Sequence, residues 1–379
     1  MRLEYQILAA VALDLVLGDP RWLPHPTRGI GRLAQWMEPR ARRWTGPPKL
    51  SGIITAMTVY AVAGLGVWVA IWLARQVHPL AADAVSIVAI YTTIAARDLS
   101  RHSMAVFRCL AAGDLVEARR RVSWLVGRDT LSMDEAEVVR AALESVGEST
   151  VDGVTAPLFY AVLAGPLGAM VYRAINTLDS MFGHLDEPYR EFGWASARID
   201  DLANYVPARL TAPLICLASA FFAARPLHAL RILARDGRKH ASPNSGLAEA
   251  AMAGALGVQL GGASYYDGRP IQRAKIGDPL VPLAARQIPR ANALMWTAAA
   301  LFLAICLVAR AGVVHLCNDA SQGGRVGQSQ RVPSYIPCPW VACRHTAKPW
   351  VGLHISEIEH DGPTLRVVTA CYPVARTAA

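Results

Sequence analysis

The chain has 379 residues, of which 53% are hydrophobic and only 18% charged, with a formal net charge of +9. A soluble globular chain carries about 25% charged residues; here the deficit sits in long uncharged runs, the pattern of a polytopic membrane protein with polar loops. The basic residues cluster beside those runs, which points to topology and anionic lipid and makes nucleic acid an unexpected partner.

The first apolar stretch, residues 5–17, contains Asp14 and has no small-residue cleavage site after it. It reads as a short retained helix and not as a signal peptide. LGDPRWLPHP then forms a stiff turn, with Asp14, Asp19, His25 and Arg28 at the mouth of that helix. Residues 51–74 are 24 residues without a charge, enough to cross about 30 Å of hydrocarbon. Residues 80–96, with only Asp83, form the next span. Arg40, Arg42, Arg43 and Lys49 precede this pair, and Arg97, Arg101, Arg108 and Arg119–Arg121 follow it, against Arg75 alone in between. The positive-inside rule therefore places both basic flanks in the cytoplasm.

Residues 97–149 read as amphipathic cytoplasmic helices, with Leu99, Val106, Leu110 and Leu115 at helical spacing. Gly113-Asp114 is a helix stop followed by a cap, and Ser132 is the expected cap of the next helix, with Glu135 completing a capping box. In ESVGESTVDG, Glu144, Glu148 and Asp152 fall at i, i+4 and i+8. Such a stripe is either a solvated acidic face or a site for a hard cation such as Mg²⁺. It abuts an apolar segment, where a carboxylate is costly and tends to be functional.

Residues 153–172 carry Gly165-Pro166 in their middle. That pair breaks a helix, so the segment is expected to enter and return, or to pack without crossing. Asn176 and Asp179 follow, then Arg198, Asp200, Asp201 and Asn204. Interfacial anchoring accounts for Tyr189, Trp194 and Tyr205 but not for so many acidic and amide groups. Residues 206–224 are a further span. In RDGRKHASPNSG, the basic Arg238, Lys239 and His240 precede Ser242, Asn244, Ser245 and Gly246 at the start of an apolar helix. This reads either as a phosphate cradle or as a positive-inside anchor with an N-cap. Residues 247–260 are too short to span, whereas 291–309 are 19 uncharged residues.

Residues 313–379 contain no spanning run and are expected to be a poorly ordered extension of the 1–312 membrane domain. The seven cysteines are odd in number and irregularly spaced, so no disulfide framework is expected, and Cys338, Cys343 and His345 lack a second ligand pair. The chain has no Walker loop, no dinucleotide fingerprint and no H-E-x-x-H.

Four strings, LGDPRWLPHPTRGIGRL, ESVGESTVDGVTAPLFYAVLAGPLGAMVYRAINTLDSMFGH, FGWASARIDDLANYVPARLTA and DGRKHASPNSGLAEAAMAGALGVQLGG, resemble in order the successive motifs of the CobD/CbiB family. The resemblance covers roughly residues 5–312 and departs from the family pattern at Gly147 and Ser149. It implies an all-α polytopic membrane enzyme with about four to six membrane-embedded helices, cytoplasmic amphipathic helices and polar loops, in the bacterial cytoplasmic membrane. It also implies adenosylcobinamide-phosphate synthase activity: ATP-dependent amide formation between adenosylcobyric acid and (R)-1-amino-2-propanol or its O-phosphate. Other cobalamin-assembly enzymes are candidate partners. On that reading Glu144, Glu148, Asp152 and Asp179 hold Mg²⁺–ATP. Arg238, Lys239 and the Ser242–Gly246 loop hold phosphate, and Asp200 or Asp201 takes the proton from the amine. A corrinoid transporter and a non-catalytic scaffold are the rival readings.

Overall fold

The computed structural model describes residues 1–20, 25–184, 187–222, 225–266, 268–326, 359–361 and 364–366, with side chains as far as residue 313. The chain divides into two units, Met1–Cys317 and Asn318–Ala379. Of the second, the described part is the end of a helix and a short strand pair, β3 (Glu359–Asp361) and β4 (Thr364–Arg366). Cys338, Cys343 and His345 lie outside the described residues.

The first unit is a multi-pass helical assembly. Among the described residues, five helical stretches are long and apolar enough to cross a membrane: Pro48–Val77, Pro79–Ala111, Glu135–Phe182, Trp194–Phe222 and Gln287–Val313. Two of them are interrupted in ways that shape the site. The first helices are α1 (Leu3–Leu17), α2 (Pro26–Thr45) and α3 (Pro48–Val77). Both α2 and α3 begin with proline, whose missing N–H and fixed φ suit the first helical position. The His25 imidazole caps α2 by accepting the Thr27 N–H at 3.3 Å. Next, α4 (Pro79–Tyr91) stops at Thr92, and α5 (Ala96–Ala111) starts four residues later. The Ala95 N–H at this break donates to the Gly153 carbonyl at 2.9 Å. One face of α5 buries Leu99, Ser103, Val106 and Leu110, as its amphipathic sequence predicts.

Gly113 adopts φ 74° and Asp114 caps α6 (Leu115–Val122) through the Glu117 N–H, as the sequence indicates. The next cap lies two residues beyond the expected Ser132. Asp134 and Glu137 form the reciprocal capping box of α7 (Glu135–Thr150). Nor is α7 an amphipathic surface helix. Val138, Val139, Ala141, Ala142, Leu143 and Val146 are all fully buried, so it is a core element. Its small residues let α12 (Ser245–Leu256) pack close, and α12 is itself buried from Ala248 to Leu256.

A five-residue π-turn, Val151–Thr155, joins α7 to α8 (Ala156–Phe182). The short α9 (Tyr189–Phe192), the spanning α10 (Trp194–Ser219) and α11 (Pro226–Asp236) follow. After α12 comes an antiparallel hairpin, β1 (Leu260–Tyr266) with β2 (Arg269–Ile276). The last described helix is α13 (Gln287–Val326).

The Asp236 carboxylate locks α11 to this hairpin. Its side chain is fully buried and accepts from Arg235 at 2.7 Å, Lys239 at 2.6 Å and the Gly277 N–H at 2.8 Å. The Arg235 guanidinium, above all, holds its carboxyl well below the usual range. A depressed carboxyl contributes stability above its unfolded pKa, and that contribution is lost as pH falls. Asp236→Asn should therefore lower the unfolding temperature in detergent at pH 7. The difference from wild type should shrink steadily as the pH drops below about 4.

Candidate functional site

α8 does not run straight. At Gly165 the backbone takes φ 65° and ψ −152°, a conformation essentially restricted to glycine, and Pro166 follows. Beyond this point the chain folds back on itself. The Tyr160 and Tyr172 rings stack at 5.1 Å and 11°. A Cβ on Gly168 would lie 2.7 Å from the Tyr160 carbonyl oxygen. The Tyr172 hydroxyl reaches the Asp152 carbonyl at 3.3 Å. In a continuous helix twenty residues span about 30 Å, so the segment enters and returns, with its tip at Gly165-Pro166.

This hairpin brings the end of α7 beside the second arm of α8. Together with α5 they enclose a cavity of about 780 Å³, lined among others by Asp98, His102, Glu148, Asp152, Arg173, Asn176, Asp179 and His184. The charged neighbours of Asp152 are Asp200, Glu148, Asp179 and Arg173. The Asp152 carboxylate makes no hydrogen bond or ion pair with any described residue, whereas Glu148 accepts from the Ser245 hydroxyl at 3.0 Å.

Behind the cavity, the Tyr172 hydroxyl donates to Asn204 at 2.8 Å, and the Asn204 amide donates to Asp200 at 3.0 Å. Among the described residues, the other Asp200 oxygen is buried without a hydrogen-bond partner, as is Nε of Arg173. Asp201 lies about 100° further round the helix than Asp200, outside the cavity lining but a charged neighbour of Asp179. Its carboxylate lies 3.9 Å from Arg198, and its carbonyl accepts from Asn244 at 2.8 Å.

Glu144 is not part of this cavity. Its carboxylate turns toward the β-hairpin, 2.5 Å from Arg128 and 2.8 Å from the Gly261 N–H it accepts. Both members of that ion pair are under 5% exposed. Sequence spacing put Glu144, Glu148 and Asp152 on one stripe. The π-turn shifts Asp152 off the α7 register, and α12 with β1 claims the lower part of the stripe.

The Arg238–Gly246 segment caps itself. Lys239 pairs with Asp236, and the Ser242 hydroxyl oxygen accepts the Asn244 and Ser245 N–H groups at 3.3 and 3.4 Å. Asn244 is buried and bridges Arg209 to the Asp201 carbonyl. A Cβ on Gly246 would lie 2.5 Å from that of His240, so the glycine permits close packing. Arg238 is exposed. The loop thus holds Glu148 and Asp201 in position, and the N–H groups of Lys239, Ser242, Asn244 and Ser245 are already engaged. Nearby, burial pushes the Glu249 carboxyl well above the usual range and lowers His240, which stands 3.9 Å away.

Sequence reasoning missed Arg128, Arg173 and Tyr172. For Arg173 a signal was present: a lone charge closing an apolar segment. Arg128 offered none, because its partner is 16 residues away and its other contact, the Ser264 hydroxyl, is 136 away.

Comparison with known proteins bears directly on this arrangement. The CobD/Cbib protein family matches residues 7–295. The cobalamin biosynthesis protein CobD of Geobacter metallireducens is 47% identical over 80% of this chain and 95% of its own length. Its namesake from Leptospira interrogans is 46% identical over 77% and 93%. The cobalamin biosynthesis protein CbiB of Salmonella choleraesuis is 42% identical over 80% and 96%. No solved structure matches the chain.

Proposed function

Because the chain belongs to the CobD/CbiB family of cobalamin biosynthesis proteins, we propose that it joins adenosylcobyric acid to (R)-1-amino-2-propanol, or to its O-phosphate, in an ATP-dependent amide synthesis. The observation that carries this reading is the returning α8 hairpin, which gathers Glu148, Asp152, Arg173, Asn176 and Asp179 around one cavity. A free carboxylate is a poor acyl donor, and ATP with Mg²⁺ supplies the activation that makes it reactive. The donor set fits such a group. Mg²⁺ is commonly held by one or two carboxylates plus substrate phosphates, and Asp152 has its carboxylate free for this.

On this proposal Glu148 and Asp152 take the cation, with Ser245 fixing the rotamer of Glu148. Glu144 drops out of that set and becomes structural. An amine must lose a proton before or during attack, and Asp179, lining the cavity, is the best-placed acceptor. Asp200, one hydrogen-bonded relay behind Tyr172 and Asn204, supports the negative field of the cavity. Asp201 and the Arg238–Gly246 loop act as positioning groups. Because ATP is cytoplasmic, the cavity faces the cytoplasm of the bacterial cell.

The deciding experiment is conversion of adenosylcobyric acid by the purified protein in detergent, followed by mass spectrometry with each amine supplied separately. The expected product is heavier by the amine minus water and forms only with ATP and Mg²⁺. Tight corrinoid binding without product would favour a scaffold instead. A topology reporter fused near residue 190 is expected to read cytoplasmic, and a periplasmic signal there would refute the proposed orientation.

A further inference from the structure

A second cavity, of about 830 Å³, adjoins the first and shares Asp98, His102 and Trp124 with it. Its walls have the opposite character. They carry four arginines, Arg28 from α2, Arg101 and Arg108 from α5 and Arg121 from α6, against only Asp19 and Asp98. Arg28 and Arg101 form no ion pair with any described residue, and Arg108 spends only its Nε, on the Met104 carbonyl. Arg121 pairs with Glu117 at 2.7 Å and lies over the Trp124 ring at 4.9 Å. Guanidinium groups that outnumber the carboxylates in one cavity, four against two, are an anion site in waiting, since their planar forks match phosphate oxygens.

The spacing narrows the ligand. Arg101 and Arg108 are two helical turns apart on the face of α5 that lines the cavity, about 10 Å along the axis. That row is longer than one phosphate group and suits a chain of them. The far end of the row opens, through Asp98 and His102, onto the carboxylate cavity. We propose that the arginine cavity binds the polyphosphate of a nucleoside triphosphate, with its terminal phosphoryl group toward Asp98, His102 and Trp124. The inference rests on the amide-synthase reading for its nucleotide, but the anion site itself stands on the arginines. It divides the labour by charge: the arginine cavity takes the polyanion, and the carboxylate cavity takes the cation and the amine.

The test uses the full chain in detergent and two single variants, Arg28→Gln and Arg101→Gln. Neither side chain holds an ion pair, so thermal unfolding should stay unchanged. Calorimetry with tripolyphosphate is expected to show binding weakened roughly tenfold in each. The KM for ATP should rise while the KM for aminopropanol does not, and Arg101→Lys should recover part of the loss. Unchanged tripolyphosphate binding in both variants would overturn the proposal. A raised KM for aminopropanol phosphate with unaltered tripolyphosphate binding would also overturn it, giving the cavity to the phosphorylated amine. Weakened tripolyphosphate binding in the variants, with no ATP-dependent product from wild type, would keep the anion site and refute the amide-synthase reading. Normal ATP kinetics in both variants of an active synthase would do the reverse.

Discussion

Arg128→Met is expected to destabilise the protein by about 3–5 kcal/mol, because it leaves the buried Glu144 carboxylate with only the more distant Arg273, at 4.0 Å, as counter-charge. Arg128 and Glu144 meet at 2.5 Å with almost no exposure, and Arg128 also donates to the Ser264 hydroxyl at 2.8 Å. The pair ties α7 to the loop before it and to β1. The double variant Arg128→Met with Glu144→Gln should recover most of the loss, since the glutamine oxygen can still accept the Gly261 N–H and no buried charge remains. Equilibrium unfolding in mixed micelles separates the two outcomes. If the double variant were no more stable than Arg128→Met, the cost would lie in lost packing and not in the stranded charge. The same experiment bears on function. If Glu144 is structural, the double variant should keep substantial synthase activity once folded.

Asp152→Asn should have the opposite profile. The carboxylate has no hydrogen-bond or ion-pair partner among the described residues to lose, so unfolding should barely move. Turnover should fall by about 10²–10⁴-fold if the group holds the cation or serves proton transfer, since those roles need its charge. The apparent Mg²⁺ requirement should rise as well. Near-normal turnover would remove Asp152 from the cation set. Asp179→Asn offers the contrast: a fall in turnover without a change in Mg²⁺ requirement would mark it as the proton acceptor.

Much of the architecture was legible in the sequence because it rests on local rules. Charge-free runs of spanning length, the Gly113-Asp114 stop and the Gly165-Pro166 break each follow from a few neighbouring residues, and the structure bears out each one. The return of residues 153–172 was legible for the same reason, since a glycine and a proline at mid-segment leave little alternative. What was hidden depends on partners far along the chain. Helical spacing identified a stripe on α7 but not which neighbours would meet it. Glu144 met an arginine and a strand, and Glu148 met Ser245 and the cavity. α7 was misjudged as a surface helix because its Glu and Arg residues look solvent-facing, yet Arg140 is spent on the Gly261 and Ala263 carbonyls. The β-hairpin was overlooked inside a polar stretch, although Asp267-Gly268 between two Tyr and an Arg-Pro is a strong hairpin signal. The candidate site, too, was visible as residue types and invisible as a set. The arginine row of α5 read as positive-inside charges until the cavities gave it a direction.

The tip of the α8 hairpin also sets a timetable for biogenesis. Its Val162 carbonyl is capped by Arg310 of α13 at 3.0 Å, and the same guanidinium grips Glu4 of α1 at 2.9 Å. The cap is 148 residues downstream of the carbonyl it serves. At bacterial elongation speeds of about 5–20 residues per second, the nascent hairpin waits roughly 7–30 s for it. Through that interval the broken segment must be sheltered by the insertion machinery or by α10. Only when the last helix arrives are the first helix, the hairpin and the C-terminal span clasped by one side chain.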